Sequence, residues 1–207
     1  QATLDELGFG SYSSITYERP DFEDVSHENV YKFFQQDVQN WVDKNYSKFC
    51  RDVLEKEGTI QDTDYFLIVG QCFGDAVLTD QDFEFTYYYK LQSICRRLSE
   101  ISNDKIIVKL HPYMNGKEKG EAGDDDYLLE DKVKYELEKI SPNIEVHTGF
   151  RSIHDFLPNC KCVIVGNSGA GFEAMMYSKP IISFCQPEYH WVTYDLRKTC
   201  DLRKAID

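Results

Sequence analysis

The apolar positions along the chain change their period near residue 60. Between Ser26 and Glu57, Val30, Phe33, Phe34, Trp41, Val42, Phe49, Val53 and Leu54 recur at mostly helical spacing. This spacing predicts one long or broken amphipathic helix, with Ser26 capping its start and Gly58 its end. Ahead of it, Ser13 to Tyr17 reads as a short extended piece and Arg19-Pro20-Asp21 as a turn. Beyond residue 60 the pattern becomes an alternation. Short β-branched or aromatic runs at Tyr65–Val69, Ile106–Leu110, Ile144–Thr148, Cys162–Val165 and Ile181–Phe184 predict five buried parallel strands. Helical patterns over Phe83–Ile101, Tyr127–Ile140, Ser152–Leu157 and Gly171–Tyr177 supply the crossovers. The expected fold is α/β, a Rossmann-like doubly wound parallel sheet. The expected organisation is an N-terminal segment over 1–60 carrying the long helix, then one compact domain over 61–207. Gln1 in place of a Met fits a module of a longer protein.

Composition narrows the partners. The 207 residues carry a formal net charge of −13, which disfavours nucleic acid, because phosphate binding is led by clustered Lys and Arg. No apolar run reaches the roughly 18 residues of a membrane span, and Gln1 to Gly10 lack the layout of a signal peptide. The expectation is a soluble, cytoplasmic chain. The seven cysteines, Cys50, Cys72, Cys95, Cys160, Cys162, Cys185 and Cys200, are an odd number in scattered apolar contexts, which fits reduced thiols. No second ligand pair with zinc spacing accompanies Cys160 and Cys162, so no metal is expected there. The run Asp124-Asp125-Asp126 reads as first-turn carboxylates favouring a helix dipole; its alternative is a metal site.

In such sheets ligands bind outside the carboxyl ends of the strands, so the loops after Val69, Leu110, Val165 and Phe184 are the places to seek chemistry. The sharpest signal is Val165-Gly166-Asn167-Ser168-Gly169-Ala170-Gly171-Phe172-Glu173, a strand, a glycine-rich turn and a helix. Small residues there let backbone approach a ligand, and N–H groups at the turn can hold a phosphate. The same residues also fit a plain tight turn with Ser or Asn as cap. Glu173 can accept from a ribose diol, or can be a solvated first-turn carboxylate. His111-Pro112 puts an imidazole at a strand end, suited to a phosphate or a sugar oxygen or to a structural bond. Gln71 and Asp75, spaced Q-x-x-x-D, bring an amide and a carboxylate to the same mouth, where Asp75 can act as base or nucleophile or can cap a loop.

Together these stretches resemble the capsule-polysaccharide biosynthesis family, which includes retaining transferases of 3-deoxy-manno-octulosonic acid (Kdo). Gly8-Phe9-Gly10-Ser11-Tyr12 is similar to the family's glycine-rich aromatic segment, and Val69 to Asp75 to its glycine-glutamine loop. Lys109-Leu110-His111-Pro112 is similar to its lysine-x-histidine-proline. Ser168 to Ala174 with Lys179-Pro180, and Gln186-Pro187-Glu188-Tyr189-His190-Trp191, match its later stretches. Departures are Ala76 at a second acidic position, Tyr113 where the family has Asp, and His190 where it has Gly.

The resemblance implies the donor-binding half of a GT-B glycosyltransferase that needs no obligatory metal or other cofactor. It also implies a nucleotide sugar and a glycan acceptor as partners, with room for further domains. It makes Asp75 and His111 catalytic and places Gln71, Lys109, Asn167, Ser168, Gly169, Gly171, Glu173 and Gln186 around the donor. The donor sugar is left between a uridine-diphosphate deoxyhexose such as rhamnose and cytidine-monophosphate Kdo, whose carboxylate would need a cation among Lys109, Lys179 and Arg197. Alternatives are a nucleotide-sugar epimerase or hydrolase, a non-catalytic binding module, and a metal-dependent transferase using Asp124 to Asp126.

Overall fold

The computed structural model describes residues 13–19, 21, 23–47, 57–72, 84–112, 114, 130–199 and 201–206, with 84–86 as backbone. Its centre is a parallel sheet of six strands in the order β3-β2-β1-β4-β5-β6. The strands are β1 (Tyr65–Val69), β2 (Ile106–Lys109), β3 (Ile144–His147), β4 (Cys160–Val165), β5 (Ile181–Ser183) and β6 (Tyr194–Asp195). The first five fall where the apolar runs predict them. The sixth is two residues long and pairs Ile182 with Tyr194, too short for periodicity to reveal.

Alternate residues of β1, β2, β4 and β5 feed two separate cores, while the edge strand β3 turns only Ile144 and Val146 to one of them. Phe66, Ile68, Ile106, Val108, Val146 and Ile164 face helix α4 (Glu84–Ile101), through Tyr87, Leu91 and Leu98, and helix α5 (Glu130–Glu138). Tyr65, Leu67, Val69, Ile107, Val163 and Val165 face Phe156, Leu157 and Ala174 on the other side. Each fully buried side chain of this size contributes about 1.5–3 kcal/mol, so the two-sided burial explains why the strands read as continuous apolar runs.

The order also fixes where a ligand can enter. From β1 the chain winds outward through β2 to β3, then returns across both to start β4 on the far side of β1. Loops therefore part above the boundary of β1 and β4, leaving a crevice at their carboxyl ends. Register keeps those ends level, with Val69 opposite both Lys109 and Val165.

The N-terminal segment differs from its expected form. Ser14–Tyr17 is a helical turn, α1, where an extended piece is predicted, with Thr16 N–H bonded to Ser13 O at 2.9 Å. The predicted helix over 26–57 begins as expected, with Ser26 Oγ accepting from Asn29 N–H. It runs as α2 (His27–Lys32), a π-helical stretch (Phe33–Val38) and α3 (Gln39–Asp43), then stops at Lys44, and Asn45 takes a left-handed φ of 51°. Of its expected apolar face Val30, Phe33 and Phe34 are exposed, Trp41 and Val42 are half-buried, and Phe49, Val53 and Leu54 lie outside the described residues, whereas Val38, which the pattern did not single out, is buried. The reason is that the sheet is met by the residues after the helix: Ser152 Oγ donates to Asn45 Oδ1, and His154 Nε2 lies 2.7 Å from Tyr46 O. The Ser152–Leu157 helix is a 3-10 turn, Ile153–Asp155, followed by further turn. The segments Gly8 to Tyr12, Asp75, Ala76, Tyr113 and Asp124 to Asp126 lie outside the described residues. Among the described residues no helix is long and apolar enough to cross a membrane.

Candidate functional site

The crevice at the strand ends has about 460 Å³ of space when counted out to its open mouth. Val69 and Gly70 come from the end of β1, and Lys109 to Pro112 from the end of β2. Ser168, Gly169 and Ala170 come from the turn after β4, and Glu173 from helix α6 (Ala170–Met176). Arg151 and Ile153 follow β3, and Ser47 comes from the N-terminal segment.

Of the predicted residues, Lys109, His111, Ser168, Gly169 and Glu173 thus meet in one wall. Glu173 is buried and accepts a hydrogen bond from Ser47 Oγ at 3.0 Å. It is not the solvated first-turn carboxylate that local sequence also allowed. His111 Nδ1 lies 3.0 Å from Cys72 Sγ. Among the described residues no acceptor meets the N–H groups of Ser168 and Gly169, so the turn offers two backbone donors to the crevice.

Other predicted residues lie just behind the wall. Gln71 is buried, and its Oε1 accepts Asn167 N–H at 2.8 Å while its own N–H donates to Tyr87 Oη at 3.1 Å. It ties the loop after β1 to the glycine turn after β4, a bond worth about 1 kcal/mol net. Asn167 has both amide atoms buried without a hydrogen-bond partner, at a cost of about 1–3 kcal/mol for a group left so. Gly171 is small for a packing reason: a Cβ there would lie 2.2 Å from Tyr189 Oη, so the residue makes room for Tyr189. The Tyr189 hydroxyl donates to Ser168 O and braces the turn from behind. Gln186 follows β5 and is not part of the wall.

The cations are arranged differently from the sequence expectation. Lys179 Nζ donates to Pro158 O and Cys160 O at 2.7 and 2.8 Å, at the start of β4 and so at the end of the strands opposite the crevice. Arg197 is paired with Asp195 at 2.6 Å. Arg151 takes their place. The chain leaving β3 must cross the ends of β2 and β1 to reach β4, and this return carries residue 151 past the crevice. The loop after Thr148 is also a carboxyl-end loop of the sheet, so strand order alone points to Arg151 as a crevice residue. Ser47 had no sequence signal, because its partner is 126 residues away.

Lys109 and Arg151 both lie against the ring of Phe156, their charged ends 5.9 and 5.1 Å from its centroid. Arg151 is anchored by Asp155 Oδ2 at 3.3 Å and by Gly58 O at 2.6 Å. Lys109 is 5% exposed, and burial pushes its ammonium down to about 8 although the Glu130 carboxylate pulls the other way. In a chain of net charge −13, the crevice wall carries two cations, Lys109 and Arg151, the latter also 3.6 Å from Glu57 Oε2, along with the Ser168–Gly169 turn.

The family model for capsule polysaccharide biosynthesis proteins matches residues 15–199, which include all six strands. The chain belongs to this family. This chain has a solved structural neighbour in the β-Kdo 2,4-transferase of Thermosulfurimonas dismutans KpsC. It has a TM-score of 0.54 and 20% identity over 88% of this chain and 53% of that one. The β-Kdo 2,7-transferase of the same KpsC has a TM-score of 0.48 and 17% identity over 84% and 48%. A UDP-GlcNAc 2-epimerase of Methanocaldococcus jannaschii, solved with UDP-GlcNAc and UDP, has a TM-score of 0.42 and 17% identity over 84% and 42%. The first of these shows a shared fold, and the chain spans about half the length of each transferase. Comparison with curated protein sequences finds no match.

Proposed function

We propose that this chain is the donor-binding part of a glycosyltransferase that moves an acidic keto sugar of the Kdo type from its cytidine monophosphate to a glycan. The observation that carries the choice of sugar is the pair Lys109 and Arg151 in the crevice wall, each lying against the ring of the buried Phe156. A neutral deoxyhexose has no charge for them to meet, whereas a sugar carboxylate does. The phosphate would take the N–H groups of Ser168 and Gly169, and the ribose diol would share the carboxylate of Glu173. Asn167, with its amide unsatisfied, would turn to the nucleotide. His111 would stabilise charge on the leaving phosphate.

The resemblance to the family supports Asp75 as the group that attacks or stabilises the anomeric centre. With attack the outcome is retention: the carboxylate displaces the nucleotide, and the acceptor hydroxyl then displaces the carboxylate. The same resemblance supports a reaction without an obligatory metal, so an excess of chelator should leave it unchanged. A further domain of the whole protein would bring the acceptor.

A thermal-shift screen tests the donor first, since a ligand bound only by the folded chain raises the Tm. Cytidine-monophosphate Kdo should raise it and uridine-diphosphate rhamnose should not; the reverse result overturns the acidic sugar. A transfer assay with Asp75→Ala then tests the chemistry, and full activity in that variant removes its centre. Epimer or free sugar released from donor alone, with no transfer to any acceptor, would replace the transferase by an epimerase or hydrolase.

A further inference from the structure

We propose that Cys72 and His111 form a thiol–imidazole pair that makes Cys72 a site of covalent modification, and that modification there closes the crevice to donor. The second half rests on the reading of the crevice as a donor site. The first half rests on geometry alone.

Cys72 stands three residues past the end of β1 and His111 two past the end of β2. These strands are neighbours in register, Val69 beside Lys109, so the sheet itself delivers the two side chains to one place. The 3.0 Å between Sγ and Nδ1 is close enough for the imidazole to take the thiol proton. Nucleophilic thiolate is thereby available where a reagent can arrive, because Cys72 is only partly buried. The other described thiols are placed differently. Cys95, Cys160, Cys162 and Cys185 are buried, and burial pushes them up to about 12, 11, 12 and 11. His111 lines the crevice, so an adduct on its partner stands at the wall where Lys109 and Ser168 meet.

The ligand class is a small soft electrophile or a hydroperoxide. With an alkyl iodide the sulfur–carbon bond forms, iodide leaves and His111 keeps the proton until solvent takes it. With hydrogen peroxide the sulfur attacks one oxygen and the O–O bond breaks. The departing hydroxide takes the proton and leaves as water. Sulfur is oxidised by two electrons to a sulfenic acid while peroxide is reduced.

The test is the rate of alkylation of the native chain by iodoacetamide, read peptide by peptide in a mass spectrometer. Cys72 should react at least about tenfold faster than Cys95, Cys160, Cys162 and Cys185, and His111→Asn should slow it by a similar factor. A Cys72 no faster than those four in the native chain overturns the pair, as does a His111→Asn chain that is folded by circular dichroism and reacts at the native rate. The alkylated chain should then bind whichever of cytidine-monophosphate Kdo and uridine-diphosphate rhamnose raises the native Tm at least about tenfold more weakly, while Cys72→Ser treated in the same way is unaffected. Undiminished binding by the alkylated chain overturns the closure. If the untreated chain binds neither nucleotide sugar, the donor reading fails and the closure with it, while the alkylation rates still decide the pair.

Discussion

Ser47 donates its hydroxyl to Glu173 Oε1 at 3.0 Å across 126 residues of sequence, and this bond brings the N-terminal segment into the wall of the crevice. Two more contacts hold the same stretch in place, Asn45 with Ser152 and Tyr46 O with His154. The segment therefore helps set the geometry of the site. A buried carboxylate in need of partners is aimed in part by a residue that lies outside the sheet.

Replacing Glu173 by Ala should weaken nucleotide-sugar binding by about ten- to a hundredfold, the range of a charge-assisted hydrogen bond of about 1.5–3 kcal/mol. Ser47→Ala should weaken it less, by a few fold, because the carboxylate stays and only its aim loosens. Titration calorimetry on both variants measures this. Equal losses in the two, or none in Glu173→Ala, would show that Glu173 does not touch the donor.

Lys109 gives the binding a pH limb whose direction follows from its depressed value. The folded chain loses this proton near 8, while an exposed Lys keeps it to about 10.4, so between those values the unfolded state holds more protons. Stability of the empty protein should therefore rise as pH increases from about 8 to about 10.4. Affinity for an anionic donor should run the other way and fall above pH 8, since the ammonium is the form that attracts it. Lys109→Arg, charged throughout, should flatten the affinity limb. Dissociation constants between pH 6.5 and 9.5 decide the matter, and a native profile as flat as the variant's would refute the contact.

At pH 7 the same lysine is a buried cation, and Lys109→Met removes it with little change in volume. The expected result is a gain of about 1–3 kcal/mol in unfolding free energy together with loss of donor binding. Denaturant melts beside a binding assay test the pair of effects. A variant that is both less stable and still able to bind would mean that Lys109 serves the fold.

Gly171→Ala places a methyl group 2.2 Å from Tyr189 Oη and within 2.4 Å of the ring. Overpacking of this kind costs about 1–3 kcal/mol, or about 2–4 °C of Tm for each kcal/mol in a chain of this size. Thermal melts without ligand are the measurement. An unchanged Tm would mean that Tyr189 turns away at little cost.

The strand runs, the parallel α/β class and the level of the crevice could all be read from residue order, because a strand buried on both faces must be apolar throughout and its periodicity is local. Lys109, His111, Ser168, Gly169 and Glu173 were legible for the same reason: each stands within a few residues of a strand end. The roles of Gln71 and Gly171 were not legible, since one is set by Asn167 and the other by Tyr189, partners that a linear pattern does not name. The placement of charge was likewise beyond the sequence. Lys179, two residues before β5, was expected at the mouth but the winding holds it at the amino end of β4, while Arg151, beyond β3 and not named by the sequence, is carried across that mouth. The helix ahead of the sheet shows the same limit from the other side: its period announces an apolar face, but only a facing surface can bury one, and here the contact is made by Asn45, Tyr46 and Ser47 instead. Local periodicity belongs to the chain, whereas which side chains share a pocket follows from strand order, and strand order is fixed by packing between residues far apart in the sequence.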